Sequence, residues 1–143
     1  MRSKKRSAAR HPQPPEPVTC FVDASLGRTV VELLRAAGFA AVAHDDLFAQ
    51  GTPDTEWLPE IGARGLPVLT KDTRIRYTPA ELEALRRAGV QQFVLVSGNL
   101  KSEQMAEAFI MAMLRMDRLV RKHRGPFVAR LNRAGEITRV TRL

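Results

Sequence analysis

The sequence has little cysteine, few aromatic residues and no long apolar run. Cys20 is the only cysteine among 143 residues, which excludes an internal disulfide and a zinc site of paired cysteines and favours a reducing cytoplasm. Aromatic residues make up 6%, too few for a platform on which single-stranded bases stack. No apolar run approaches the roughly 20 residues that cross a bilayer, and none follows the basic N-terminus, so neither a membrane span nor a secretory signal is expected.

Glycine-rich phosphate loops and nucleophile sets are missing as well. Neither GxGxxG nor GxxxxGK followed by Ser or Thr occurs, which argues against nucleotide-dependent kinases, ATPases and dehydrogenases. His11, His44 and His123 are scattered along the chain. Cys20 falls in a predicted buried strand, where a thiol is inert. Nucleophilic catalysis by serine or cysteine is therefore not indicated.

Positive charge is abundant. The net charge is +8, which predicts a polyanionic partner bound through its phosphates. Residues 1–17 contain five basic side chains, one acidic side chain and four prolines, so we expect a disordered basic arm there. The other +4 is expected to be spread over a single domain at residues 18–143. A solvated, solubilising surface is the plainer alternative for this charge.

From Val18 onward, short apolar runs alternate with helical patterns. Strands are predicted at Val18–Val22, Ala40–Ala43, Pro67–Thr70 and Phe93–Val96, helices at Leu26–Ala37, Asp54–Ala63, Pro79–Ala88 and Ser102–Lys122, and a hairpin at Phe127–Leu131 and Ile137–Val140. This alternation predicts right-handed βαβ units with helices on both faces of a sheet. The expected fold is a three-layer α/β/α domain with a mainly parallel central sheet of about four strands and a C-terminal β-hairpin.

Polar side chains follow each of the four predicted strands. Asp23 follows the first strand, Asp45 and Asp46 the second, Asp72 the third and Asn99 the fourth. Ligands of open α/β sheets collect beyond the carboxyl ends of the strands, and neighbouring carboxylates are best tolerated around a divalent cation. Oxygen ligands suit Mg²⁺ or Mn²⁺, which would bridge a phosphodiester and polarise a water for in-line attack.

Two of these features have simpler explanations. Asp23 and Asp54 are each explained equally well as residues that cap the N-terminus of the helix that follows them. Lys71, Arg74 and Arg76 follow the third strand, where they would hold RNA phosphates, although a solvated basic turn explains them equally well. Because several carboxylates follow neighbouring strands, a shared metal site is favoured over separate helix caps.

Four stretches resemble the PIN-like superfamily, with the closest likeness to small VapC-type toxin nucleases. They are Phe21-Val22-Asp23, Asp45-Asp46-Leu47, Thr52-Pro53-Asp54-Thr55-Glu56-Trp57 and Val68-Leu69-Thr70-Lys71-Asp72. The likeness runs from about Val18 through the terminal hairpin. It implies an endoribonuclease that holds Mg²⁺ or Mn²⁺ through acidic residues.

The resemblance assigns site residues. Asp23 and Asp72 match the first and third acidic positions, and both would bind metal and act in catalysis. For the middle acid, Asp46, Asp54 and Glu56 stay open as metal ligands. Glu56 is favoured as the catalytic one, because it would project from the first helical turn while Asp54 is placed to cap it. Asn99 is a further candidate ligand, with a plain turn residue as its alternative.

The resemblance also suggests partners. These are RNA, a homodimeric second copy and, for a toxin, an antitoxin that plugs the acidic cleft. One departure is the stretch Ala24-Ser25-Leu26-Gly27-Arg28, which replaces the Thr or Asn often seen just after the first aspartate in classical toxins. Ser25 is expected to cap the following helix or to reach a water on the metal. The competing hypotheses are a non-catalytic basic nucleic-acid-binding module and a phosphoacceptor signalling domain, in which Asp72 would mimic the acceptor.

Overall fold

The computed structural model describes residues 19–72 and 77–143. The predicted arm at residues 1–17 and the candidate phosphate-binding Arg74 and Arg76 lie outside these ranges. The strands are β1 (Thr19–Val22), β2 (Ala40–Ala43), β3 (Val68–Lys71), β4 (Gln91–Leu95), β5 (Phe127–Leu131) and β6 (Ile137–Arg142). The helices are α1 (Arg28–Ala36), α2 (His44–Leu47), α3 (Asp54–Arg64), α4 (Pro79–Ala88) and α5 (Ser102–Lys122).

All the described strands form one sheet in the order β2-β1-β3-β4-β5-β6. The first five in this order pair in parallel, and β6 pairs antiparallel with β5 as a hairpin. The predicted three-layer α/β/α fold with a C-terminal hairpin is confirmed. The first strand of the hairpin, β5, pairs in parallel with β4 and extends the parallel part of the sheet. Only β6 forms the expected antiparallel edge.

The core consists of one apolar layer on each face of the sheet. Successive strand residues alternate between the faces, so Cys20 and Val22 pack with α1 and α5 while Phe21 packs with α3 and α4. Burial raises the pKa of the Cys20 thiol to about 12. The cysteine is therefore protonated at neutral pH, as expected for an inert core residue.

One connection departs from the expected handedness. The chain steps in the same direction along the sheet from β3 to β4 and from β4 to β5, yet α4 packs on one face and α5 on the other. These two connections therefore have opposite hands. The β1-α1-β2 and β2-α3-β3 units share the hand of β3-α4-β4, and the strong natural preference identifies β4-α5-β5 as the left-handed unit.

Helix α4 has the ends that its sequence predicts. The Thr78 hydroxyl accepts a hydrogen bond from the Glu81 N–H at 3.1 Å, and the Glu81 carboxylate accepts one from the Thr78 N–H at 2.8 Å. This capping box starts the helix at Pro79. Gly89 ends it in the left-handed conformation at φ 72°. The short helix α2 was not expected, because its four residues are too few to show a periodicity.

The described helices differ from membrane-spanning ones in length and composition. None of them combines the length and the apolar character needed to cross a bilayer.

Candidate active site

Asp23 and Asp72 lie side by side at the centre of the sheet. They follow the neighbouring strands β1 and β3, and the parallel ladder continues one residue past each strand. The Asp23 N–H donates to the Leu69 carbonyl at 3.0 Å, and the Asp72 N–H donates to the Leu95 carbonyl at 3.2 Å. Main-chain hydrogen bonds therefore fix the backbone of both acids at the carboxyl edge of the sheet, where ligands of such folds collect.

Two hydroxyl groups hold the Asp23 carboxylate. Its Oδ2 accepts a hydrogen bond from Thr70 Oγ1 at 2.7 Å and another from Ser25 Oγ at 3.0 Å. The two hydroxyl oxygens are themselves 3.3 Å apart. Thr70 was not identified from the sequence, where it looked like an ordinary strand residue. Ser25 orients the carboxylate and makes no capping hydrogen bond to the helices that follow it.

Asp54 lies at the first residue of α3 and is tied to an aromatic cluster. The indole Nε1 of Trp57 donates to Asp54 Oδ1 at 3.0 Å. Trp57 is 3% exposed, and its ring lies 5.0 Å from that of Phe21 and 6.1 Å from that of His44. Packing therefore accounts for the burial of Trp57, and the aromatic cluster fixes the donor that orients Asp54.

The pKa of Asp54 is raised above its ordinary value. Much of the residue is exposed, but partial burial of its carboxyl beside Trp57 is the largest cause, and the negative charge of Asp23 is the second. The Trp57 hydrogen bond and the nearby His44 oppose the rise. Asp54 and Asp23 thus lie close enough to repel each other, which is the condition that a bound cation relieves.

Neither aspartate caps a helix through its side chain, although Asp23 stands at the N-cap position of a 3₁₀ turn. The side chain of Asp23 makes no capping hydrogen bond to the 3₁₀ turn Ala24–Leu26 that follows it. The N-cap of α3 is Pro53, and no side chain caps that helix. The capping alternative raised by the sequence therefore does not account for Asp23 or Asp54.

A cavity of about 480 Å³ brings three of the candidate acids together. Its lining includes Asp23, Asp54 and Asp72, together with Thr70, Lys71 and Glu81. Glu81 was not expected here, because its capping signature accounts for it fully in the sequence. Its charge nevertheless contributes to raising the pKa of Asp54. The four lining acids come from the ends of β1 and β3 and from the first turns of α3 and α4, so the cavity exists only in the folded sheet.

Two other candidate acids do not line this cavity. Glu56, favoured from the sequence as the middle acid, is exposed and lies outside the lining. Asp46 is engaged in structural contacts: its Oδ2 accepts from the Ala43 N–H at 3.0 Å and from Arg35 Nη2 at 2.9 Å. The Ala43 bond, followed by the arginines Arg35 and Arg28, lowers the pKa of Asp46 despite some burial.

Asn99 lies on the other side of Asp72. It lines a second cavity of about 330 Å³ with Asp72, Lys71 and Ser97. Lys71 is exposed and borders both cavities. The structure therefore places Asn99 next to Asp72, and not in the cavity shared by Asp23 and Asp54.

The described part of the chain holds no cage of metal-binding side chains. Within residues 19–72 and 77–143, no three His, Cys, Asp or Glu side chains are grouped closely enough to hold an ion. Mg²⁺ does not require such a cage, because it keeps several waters and is commonly bound through one or two carboxylates. The cavity offers carboxylate and hydroxyl oxygens at Asp23, Asp54, Asp72 and Thr70. This donor set fits a hard divalent cation and does not fit zinc.

Comparison with known proteins gives one match. The family model described as "PIN like domain" matches residues 18–97, which is more than half of the 143 residues. The match covers Asp23, Asp54 and Asp72 and ends two residues beyond β4. No curated protein and no solved structure matches the chain.

Proposed function

This chain belongs to the PIN-like domain family, and on that premise we propose that it is a metal-dependent endoribonuclease that hydrolyses RNA phosphodiester bonds. The observation that carries the proposal is the convergence of Asp23, Asp54 and Asp72 on one cavity at the carboxyl edge of the sheet. The net charge of +8 supports a polyanionic substrate.

Mg²⁺ or Mn²⁺ is the proposed cofactor, with Asp23 and Asp72 as principal ligands. When bound, such an ion supplies charge neutralisation at the phosphate and an activated water. Thr70 and Ser25 hold the Asp23 carboxylate in one orientation, so this ligand is already arranged before a metal binds. Lys71 is positioned to contact a phosphate of the substrate at the rim.

We propose Asp54 as the middle acid, in place of Glu56. Two features support this assignment: Asp54 lines the cavity and its pKa responds to the charge of Asp23. Asp46 is proposed as a structural residue, because its carboxylate serves Ala43 and Arg35. Asn99 is proposed as a contact on the far side of Asp72.

The biological setting rests on the resemblance alone. A VapC-type toxin role, an antitoxin partner, a homodimer and a cytoplasmic location stay predictions. The buried, unpaired Cys20 is compatible with a reducing compartment.

Cleavage of a mixed RNA pool tests the proposal. Wild-type protein is incubated with Mn²⁺ or Mg²⁺, with an EDTA control, beside Asp23→Asn and Asp72→Asn. Asp117→Asn is the matched control, since Asp117 lies on α5 and pairs with Arg121 at 3.1 Å. We expect cleavage that requires the metal and both site aspartates and survives in the control.

Other outcomes would reject the nuclease assignment. RNA that is bound and left intact by wild type would establish the non-catalytic binding module instead. Cleavage that persists in EDTA or in both site variants would point to a contaminating nuclease.

A further inference from the structure

Helix α5 has an apolar patch on the side that faces away from the sheet. Its buried side packs in the core through Met105, Phe109, Ala112 and Met116. On the opposite side, Met111 is 47% exposed and Leu114 is 66% exposed. The two lie three residues apart, so they are neighbours on the helix surface, and Ile110 beside them is half-buried. Single exposed apolar side chains need no explanation, whereas adjoining ones call for one.

Charged side chains continue this patch along the helix in both directions. Glu103 and Glu107 precede it, Arg118 and Arg121 follow it, and all four are exposed. At 3.6 residues per turn, the four charged residues and Leu114 fall within an arc of about 60°. These five residues and Met111 form the α5 stripe, which is acidic at its start, apolar in the middle and basic at its end.

The stability of the helix itself does not account for this order of charges. The helix dipole favours acids in the first turn and bases in the last, but it acts only within those turns, and Glu107 and Arg118 lie further inside α5. Glu103 and Glu107 are four residues apart, a spacing at which like charges repel. Among the ion pairs of the described residues, Arg121 pairs with Asp117, while Glu107 and Arg118 take no part. The order of charges therefore points to a contact outside this chain.

We propose that the α5 stripe binds the α5 stripe of a second copy of this chain, with the two helices antiparallel about a two-fold axis between Met111 and Leu114. The two ends of the stripe are opposite in charge, so an antiparallel pair brings the acidic end of each helix against the basic end of the other. In such a symmetric interface every contact occurs twice.

The spacing along the helix sets the contacts of this pair. Met111 faces the partner's Leu114, and Glu107 faces the partner's Arg118, because both pairs are centred on the same point of the helix. A parallel pair would instead place Glu107 against the partner's Glu107, and like charges across an interface exclude that arrangement. The order of charges therefore selects the antiparallel direction.

The acidic cavity stays open in the proposed dimer. α5 packs with α1 on one face of the sheet, whereas α3 and α4, which border the cavity, lie on the other face. Both copies therefore keep an accessible cavity that faces away from the contact. The inference does not rest on the proposed function, because it uses no residue of the cavity.

The strength of the dimer follows from the size of the contact. α5 has 21 residues, and a helix of that length is about 32 Å long. A contact made mainly by one helix from each copy is at the small end of specific interfaces, where complexes are weak and transient. We therefore expect a dissociation constant in the micromolar range, with monomers at low concentration and dimers at high concentration.

Sedimentation equilibrium of the full chain from about 1 µM to about 300 µM measures this association. Glu107→Arg and Arg118→Glu should each weaken the dimer about 30-fold, because two exposed ion pairs are replaced by two repulsive contacts. The two substitutions change the net charge in opposite directions, so an effect of net charge alone would not weaken the dimer in both. Leu114→Gln should weaken it about 100-fold through loss of apolar contact in both copies.

An equimolar mixture of Glu107→Arg and Arg118→Glu gives the sharpest result. In a mixed dimer each arginine faces a glutamate again, so the mixture should associate although neither variant does so alone. The double variant Glu107→Arg with Arg118→Glu should dimerise like the wild type for the same reason. Glu60→Arg is the matched control, since exposed Glu60 lies on α3 on the other face of the sheet, and it should leave the dimer unchanged.

Three results would overturn the inference. A wild type that stays monomeric at every concentration would leave the stripe to a different partner protein. A dimer that neither charge reversal weakens would use another surface. Mixed variants that fail to associate would show that the two helices do not pair in this direction. Melting temperatures and circular dichroism of each variant, expected to match the wild type because all the changed side chains are exposed, separate these outcomes from misfolding.

Discussion

The chain divides into an acidic and a basic part that share one sheet. Residues 18–97, which match the family, contain eight basic and ten acidic side chains, whereas residues 98–143 contain ten basic and four acidic ones. The positive charge beyond the N-terminal arm is therefore not spread evenly, as the sequence analysis had assumed. It is concentrated in α5, β5 and β6 and the loops between them.

This difference separates the residues proposed for catalysis from the positive charge that would attract RNA. The carboxylates that line the cavity all lie in residues 18–97, and a nuclease needs them close to its phosphate. An acidic site repels that same phosphate, so positive charge must come from elsewhere. In the proposed nuclease, the second part of the chain would supply it on strands that continue the same sheet. Three experiments test how sharp this division is.

The largest effect is expected inside the acidic part. Asp54→Asn should lower RNA cleavage about 1000-fold, because loss of a carboxylate at the metal site removes several kcal/mol of transition-state stabilisation. Glu56→Gln, two residues away and outside the cavity, should change the rate less than about threefold. Single-turnover rates with saturating Mn²⁺ measure both.

A reversed order would restore the sequence-based assignment. If Glu56→Gln is the inactive variant and Asp54→Asn is active, the cavity is not where the middle acid works. Equal and small effects would mean that neither residue serves the reaction.

A smaller effect is expected from a glycine in the basic part. Gly135 has φ +75°, and an added Cβ would lie 2.8 Å from the Ala108 carbonyl oxygen and from Met111 Cβ. Gly135→Ala should therefore destabilise the protein by about 2 kcal/mol through backbone strain and crowding against α5. Gly98→Ala is the control, since nothing lies within 4 Å of its added Cβ.

Urea unfolding followed by circular dichroism gives the answer. We expect one cooperative transition, because β5 pairs with β4 along its whole length. Two transitions in Gly135→Ala would show that residues 98–143 unfold as a separate unit. The acidic and basic parts would then be two independent domains.

The smallest effect concerns an acid of the first part that serves structure. Asp46→Asn should cost less than about 1 kcal/mol near neutral pH, since its arginine partners are partly exposed and screened by water. The pKa of Asp46 is lowered in the folded protein, so its carboxylate stabilises the fold above the ordinary pKa of 3.8. That contribution disappears as the pH falls through the lower, folded value.

Denaturation of wild type and Asp46→Asn should therefore give a constant difference at mildly acidic to neutral pH and a shrinking one at more acidic pH. RNA cleavage by the variant should be unchanged. A loss of activity without a loss of stability would show that Asp46 acts at the metal site and not as a structural residue.

The sequence predicts most of the fold because its signals are local. Apolar runs bounded by helical patterns located all six strands to within two residues, and the capping box at Thr78 and Glu81 fixed the start of α4. Strand order and the hand of the β4-α5-β5 unit were not predictable in this way. The order depends on which strands pair and the hand on which face α5 covers, and periodicity specifies neither.

The site is predictable in part for the same reason. Asp23 and Asp72 follow strands directly, so the topology alone brings them together. Which of Asp54 and Glu56 lines the cavity depends on the direction in which α3 turns each side chain, and the hydrogen bond from Trp57 holds Asp54 there. The role of Thr70 becomes visible only from its hydrogen bond to Asp23.

The junction at β4 has a consequence for the folding chain. The family match ends just after this strand, and four of its five residues are buried. Until β5 docks, β4 is an open apolar edge that offers unpaired main-chain groups to other molecules, which is the usual route to aggregation. The basic C-terminal part thus also protects this edge, because β5 pairs with β4. The outer edge of the sheet becomes β6, whose arginines discourage pairing with a second chain. A fragment cut at residue 97 would be expected to aggregate, even with every acid of the cavity present.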